Sequence, residues 1–408
     1  MIHRTVRIET PFDLNNVCGG DGFLFVRDGV GFAAQGIALK AGEQETRAAL
    51  DAIVPSAKNT DIDLNHLRPI AFGMIPFLPH EEAVFVVAHT TFAKRSDGSH
   101  TLTLVGETET DVDDSAVARA LEVATHARPP RPSSNSFRVG ARTPVGRYLD
   151  AVTLARDAVR GGLLKKAVIA RDIEVHADEP IDVHSVLLRL RASFGSSYRF
   201  CIGNMIGATP ELLVEIDGRE VRSRPLAGTT PRTGDPETDK QLAEELIAST
   251  KNQIEHRVVV DMVHDTLLPH CSYLDWEAEP SIVTVANVQH LGTYIEGALT
   301  EPRAHVMTLV KELCPTPALG GFPSADAIAF ITANEPMQRG YYGGAVGWMD
   351  ADGNGTFAVT IRCAELSEDR RTARLFAGGG IVAESNPYAE LAETQAKFQA
   401  MLSAIVRP

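Results

Sequence analysis

RFCIGNMIGATPELLVEIDGREVRSRPLAG occupies residues 199–228. Its apolar residues come in short runs, broken by Gly-Asn, Thr-Pro and Asp-Gly. Runs of that length, rich in branched side chains and punctuated by turn formers, read as consecutive strands. Asp217-Gly218 is the clearest hairpin signal, because a two-residue turn needs positive φ and these residues accept it. Strands that follow one another without a helix between them pair antiparallel.

The same grammar recurs outward. FLFVRDGVGFAAQG (23–36) reads as a hairpin around Arg27-Asp28-Gly29. IAFGMIPF (70–77), AVFVVAHTTFAK (83–94), KKAVIARDIEVHA (165–177) and RRTARLFAGGGIV (370–382) each read as a strand, and GGAVGWMDADGNGTFAVTIRCAEL (343–366) as another hairpin. Helical periodicity is confined to PVGRYLDAVTLARDAVRGG (144–162), stopped by Gly161-Gly162, to one long amphipathic stretch over 235–268, and to YAELAETQAKFQAMLSAI (388–405). Strands outnumber helices and few βαβ alternations appear. The expected class is therefore α+β, with large, mainly antiparallel sheets covered by helices. HARPPRPSSNSF (126–137) is the best linker candidate, dividing a strand-rich part over 1–127 from a second part over 138–405.

At 408 residues the chain makes one large layered domain or two ordinary ones. Its 39 basic and 53 acidic residues give a net charge of −14, which argues against non-specific nucleic-acid binding. An anionic substrate would need local positive help. Five scattered cysteines without a CxxC pair point to free thiols in a reducing compartment, not to a zinc or disulfide framework. No secretory h-region opens the sequence and no run is long enough to span a membrane, so a cytoplasmic protein without a membrane partner is expected.

DADGNG (350–355) imitates the start of an EF-hand loop, but its twelfth position is Ile361 instead of the closing Glu, and its flanks are strand-like. It reads as a hairpin turn. Other residues carry more chemistry. Glu255 lies on an amphipathic helical pattern, where a surface charge is the ordinary reading. Together with Glu390 and Glu393, three residues apart and so on one helical face, it supplies hard oxygen donors of the kind that suit Mg²⁺. Glu211 follows Pro210 at the head of an apolar strand, either as an edge charge or as a buried acid of raised pKa. Lys165-Lys166 opens a strand, either solvated or, in a closed cleft, able to serve as a base. Arg362 stands inside the apolar strand VTIRCA and must meet a carboxylate from protein or ligand. The three glycines of FAGGGIV (376–382) let bare backbone approach an anion, or mark a bulge. His290 has no neighbouring ligand residue and reads first as a core histidine.

In order, KAVIAR, GATPELL, SRPLAGTTPR, KNQIEHRVVVD, VQHLGTYIEG, PTPALGGFP, YYGGAVGW, TIRCAEL, FAGGGIVAESNP and ELAET resemble the chorismate-utilising enzymes. These segments are spread over residues 140–400, and AFGMIPF extends the likeness into the variable N-terminal part. The resemblance implies a single domain of two large antiparallel sheets, Mg²⁺ as cofactor, chorismate as substrate and a monomer. It places Lys166 as the base that activates water and Glu211 as the acid that protonates the departing ring hydroxyl. It makes Glu255 and Glu393 magnesium ligands, with Glu390 beside them acting through water. Arg362 and Tyr342 would hold the enolpyruvyl carboxylate with the backbone at Gly378 and Gly380, while His290, Thr229 and Ala318 take substrate-side positions.

PTPALGG is similar to the isochorismate synthases, whereas anthranilate and aminodeoxychorismate synthases end their signature there in GAPK. This points to an isomerase that adds water at C2 of chorismate and loses the C4 hydroxyl. Salicylate synthase and 2-amino-2-deoxyisochorismate synthase are the alternatives; a non-catalytic relative fits poorly with the intact Lys166, Glu211, Glu255, Glu393 and Arg362. Two departures stand out: Cys314 where isochorismate synthases commonly carry His, and Asn252 where some relatives carry an acid. Siderophore, salicylate and menaquinone pathways all remain open destinations for the product.

Overall fold

A computed structural model describes residues 1–59, 64, 67–126, 128–130, 135–285 and 288–407. Within the proposed linker, residues 127 and 131–134 lie outside the described residues. Among the described residues, the strands assemble into sheets of thirteen, nine and three strands. The two large sheets face each other across an aromatic core that draws Phe23, Phe25, Phe200 and Phe376 from the larger sheet and Phe72 and Val346 from the smaller. Phe23 and Phe72 stack across this interface with centroids 5.6 Å apart. Helices cover the outer faces: Val183–Phe194 and Pro387–Val406 against the larger sheet, Thr250–Leu267 and Val306–Leu313 against the smaller. Except for the short parallel pair Ile2–Arg7 with Val54–Pro55, the pairings are antiparallel. The α+β expectation therefore holds, with a small third sheet added.

The opening stretch delivers five strands: Tyr198–Ile202, Met205–Thr209, Leu212–Asp217, Glu220–Arg224 and Leu226–Pro231. The hairpin signalled by Asp217-Gly218 is real, but Asp217 ends the strand opposite Glu220 and the two-residue turn is Gly218-Arg219, with Gly218 at φ 58°. The five strands serve three different sheets, two in the larger, two in the smaller and one in the third. The chain crosses between sheets at Pro210-Glu211 and returns at Thr360-Ile361-Arg362.

Three expectations need correction. AVFVVAHTTFAK is two strands, Val84–Val87 and Thr90–Lys94, in opposite sheets; a continuous apolar run does not reveal the bend at Ala88-His89. The long helical stretch is two helices, Pro236–Ala248 and Thr250–Leu267, because the Ser249 hydroxyl caps the second by accepting from Asn252 N–H. Arg362 is not inside a strand: at φ 49° it occupies the turn between Gly355–Val359 and Cys363–Leu366. The Asp350–Gly355 segment is the hairpin turn expected, and Asp350 accepts from both the backbone and the side chain of Asn354.

The axis of the larger sheet is the pairing of Lys166–Ala177 with Thr372–Ile381, which sets Ala170 opposite Gly378 and Val168 opposite Gly380. On its other edge, Lys166–Ala177 pairs with the short strand Gly321–Phe322 at one end and with Phe137–Ala141 at the other. Its unpaired middle is closed by side chains: Ala170 N–H donates to Glu335 Oε2 at 2.8 Å, and Arg339 donates to Val168 O at 2.7 Å and to Leu319 O at 2.8 Å. Arg339 and Glu335 also pair with each other at 2.6 Å, both buried. Backbone groups that lack a ladder partner must find another, and here an ion pair supplies it. Glu335→Ala would leave a buried guanidinium unpaired and should lower unfolding stability by about 3–5 kcal/mol in urea titrations. Replacing both partners by apolar residues of similar size should recover part of that loss.

Candidate active site

The two crossings between sheets lie side by side. Val359 N–H donates to Glu211 O at 3.0 Å and Ala208 N–H to Arg362 O at 3.1 Å. They open onto a cleft of about 310 Å³, and all twelve residues singled out from the sequence line it: Lys166, Glu211, Thr229, Glu255, His290, Ala318, Tyr342, Arg362, Gly378, Gly380, Glu390 and Glu393.

Gly378 and Gly380 form the floor, with Gly379 buried between them. A Cβ on Gly380 would meet Lys166 Cε at 2.8 Å and Glu255 Oε1 at 2.9 Å; one on Gly379 would meet Glu390 Oε2 at 2.7 Å. The register against Lys166–Ala177 is continuous here, so these glycines make room for charged side chains and do not mark a bulge. Above the floor, Lys166 Nζ donates to Glu255 Oε1 at 2.6 Å. Lys397 Nζ donates to Glu393 Oε1 at 2.6 Å and to Gly378 O at 2.7 Å. Glu390 is the more buried of the helical pair. Ser385 Oγ donates to its Oε1 at 2.8 Å, while its Oε2 is buried without a partner. Burial, and then the neighbouring Glu393 charge, raise its pKa.

Glu211 is only 2% exposed. Desolvation pushes its pKa up to about 8, against the pull of the Leu226 N–H, Lys166 and Arg362. The edge-charge reading is thereby corrected: this carboxyl is a buried acid, protonated at neutral pH. Arg362, 8% exposed, faces the cleft with no side-chain hydrogen bond or ion pair to any described residue. Of the carboxylate partners expected for it, from protein or ligand, no described residue supplies one at bonding distance. Tyr342 is buried beside it, its ring stacked 5.2 Å from Phe376, and burial holds its phenol far above the ordinary range.

The third sheet sets Thr229 opposite His290. His290 Nδ1 lies 3.0 Å from Thr229 Oγ1 and 3.3 Å from Gly228 O. A carbonyl only accepts, which assigns the proton to Nδ1 and leaves a lone pair on Nε2, buried without a partner. Desolvation, helped by Arg362, lowers the imidazole pKa to about 3, so the ring is neutral. Ala318 and Leu319 add apolar wall. Cys314 lies away from the cleft, in a separate surface depression beside Met307, whereas Asn252 does line it.

Two charged lining residues had no role in the sequence reading, Lys251 and Lys397. The signal was available: each stands four residues from a glutamate, Lys251 before Glu255 and Lys397 after Glu393, so each shares that acid's helical face. Among the described residues, no three His, Cys, Asp or Glu side chains converge into a ready-made metal cage. The cleft instead offers three carboxylates, two partly neutralised by lysines and one with an unpartnered oxygen, a donor set of hard oxygens suited to a divalent cation.

Residues 30–406 match the family profile described as chorismate binding enzyme. The chain belongs to this chorismate-binding enzyme family. It is 39% identical over 269 residues to the isochorismate synthase DhbC of Bacillus subtilis (strain 168), covering 63% of this chain and 67% of that one. It is 32% identical over 360 residues to the vibriobactin-specific isochorismate synthase of Vibrio cholerae, covering 86% and 82%. The solved menaquinone-specific isochorismate synthase MenF of Escherichia coli shares the fold, with TM-score 0.82 at 24% identity over 99% of this chain and 94% of that one. Among the described residues no helix is long and apolar enough to cross a membrane.

Glu211 carries a linkage consequence. Its folded pKa of about 8 lies above its unfolded value near 4.5, so the folded state holds the extra proton between those limits. Its contribution to stability is present at pH 4 and is lost progressively up to pH 8. Glu211→Gln should remove this slope, so in denaturant titrations the variant should gain on the wild type steadily as pH rises from 5 to 8.

Proposed function

We propose that this family member is an isochorismate synthase, converting chorismate to isochorismate by adding water at C2 with loss of the C4 hydroxyl. The observation that carries the reading is Arg362, a buried guanidinium facing the cleft without an ion pair to any described residue. A ligand carboxylate is the partner it lacks, and chorismate brings two. The names of the relatives support the choice of product.

In this reading Arg362 and the Tyr342 hydroxyl hold the enolpyruvyl carboxylate, with backbone at Gly378 and Gly380 close by because no Cβ intervenes. Lys166 takes the proton from the attacking water. Its partner Glu255 keeps the nitrogen fixed at the edge of the floor, and Lys166 can accept a proton only after that ion pair has opened and its ammonium has given a proton up to solvent. Glu211 sits on the crossing loop beside Arg362, already protonated, and gives its proton to the leaving hydroxyl. The neutral His290 offers Nε2 as a hydrogen-bond acceptor to a ring hydroxyl, with the Gly228 carbonyl setting its tautomer, and Ala318 packs on the ring side.

Glu255 and Glu393, with Glu390 beside them through water, would hold a Mg²⁺ ion. That ion would neutralise the ring carboxylate and draw electron density from the ring. The account requires a protein that works on a small anion without a nucleic-acid partner.

Incubation with chorismate and Mg²⁺, followed by chromatography, should yield isochorismate. Lys166→Ala and Glu211→Gln should each lower kcat by about 10²–10⁴, the usual weight of a general acid or base. Activity should also fall as pH rises through about 8, where Glu211 loses its proton. Salicylate with pyruvate as the main products would replace this reading by salicylate synthase, and full turnover in both variants would remove the two catalytic roles.

A further inference from the structure

Among the described residues, four cationic side chains line the cleft: Lys166, Lys251, Arg362 and Lys397. Two are committed. Lys166 pairs with Glu255 and Lys397 with Glu393, each at 2.6 Å. Arg362 is unpaired and deep. Lys251 is the remaining charge: it is exposed, lies in the first turn of Thr250–Leu267, and makes no hydrogen bond or ion pair with any described residue. Its charge is felt at Glu390 and Glu393, where it favours the ionised carboxylates, yet it bonds to neither.

We propose that Lys251 is a substrate-binding residue, a mouth cation that captures the second carboxylate of the incoming dianion while Arg362 takes the first. The proposal rests on the reading of chorismate as substrate. The chain carries a net charge of −14, so its long-range field opposes an approaching anion, and a free cation at the entrance reverses that field locally. A buried cation alone does this badly, because the anion must shed water before meeting it. A flexible, solvated lysine at the rim contacts the substrate early and at small desolvation cost. Position supports the role: Lys251 is one helical turn from Glu255, so the captured carboxylate arrives beside the acids proposed to hold the divalent cation.

The test is steady-state turnover of chorismate by wild type, Lys251→Gln and Lys251→Arg at several salt concentrations. Lys251→Gln should lower kcat/KM about tenfold, carried by KM, and should flatten its decline with salt, since one screened attraction is gone. Lys251→Arg should restore both the KM and the salt slope. A Lys251→Gln enzyme with the wild-type KM, or with a raised KM but an unchanged salt slope, would overturn the proposal. If the wild type turned chorismate over and Lys251→Gln matched it, only the role of Lys251 would fail. If the wild type did not turn chorismate over, the substrate reading would fail and the capture role with it.

Discussion

An arginine is kept in the interior with no hydrogen bond or ion pair from any described side chain to answer its charge. Arg362 sits at φ 49° on the loop that carries the chain from one large sheet to the other, its guanidinium turned into the cleft. Burying an unpaired charge is costly, and so is a left-handed backbone at a residue with a side chain. Both are tolerated because the surroundings leave little choice: Arg362 O is tied to Ala208 N–H, and the strands on either side are locked into different sheets. The same crossing design fixes Glu211 on the neighbouring loop, buried and protonated. Two sheets packed face to face thus create one seam at which an acid and a cation can be held without neutralising each other.

The rest of the cleft explains how an acidic protein presents a site fit for an anion. Its glutamates are mostly silenced. Glu211 is protonated by desolvation, and Glu255 and Glu393 are each answered by a lysine. The glycine floor is what permits this density of charge, since a methyl group at Gly380 would strike both Lys166 and Glu255. The lysine pairings also hold the two carboxylates in place within the cleft. Glu390 differs from its neighbour three residues on. One of its oxygens takes a hydrogen bond from Ser385 and the other is buried with no partner, whereas Glu393 reaches outward to Lys397. The pair that looks symmetric on one helical face is therefore divided by depth.

Much of this was legible in the sequence because it is written in short range. Turn residues such as Asp217-Gly218 fixed hairpins, and the order of motifs brought twelve separated residues to one family and one cleft. What escaped depends on the third dimension. Nothing in AVFVVAHTTFAK signals that its halves serve opposite sheets, and nothing in VTIRCA signals that Arg362 leaves the strand. A single hydroxyl, Ser249, splits a helix that periodicity runs together. Lys251 and Lys397 were passed over because a lysine near a glutamate is ordinary; only the shared cleft separates the lysine that pairs from the one that stays free.

The central claim is that Arg362 is left unpaired by the protein in order to be paired by a substrate carboxylate. Thermal unfolding of wild type and Arg362→Met, each with and without chorismate, tests it most directly. Removing an uncompensated buried charge should raise Tm of the ligand-free protein by a few degrees, corresponding to about 1–2 kcal/mol, while abolishing the stabilisation that chorismate gives the wild type. A variant that melts lower than wild type without ligand, yet is stabilised by chorismate as strongly, would mean that Arg362 serves the fold and not the substrate.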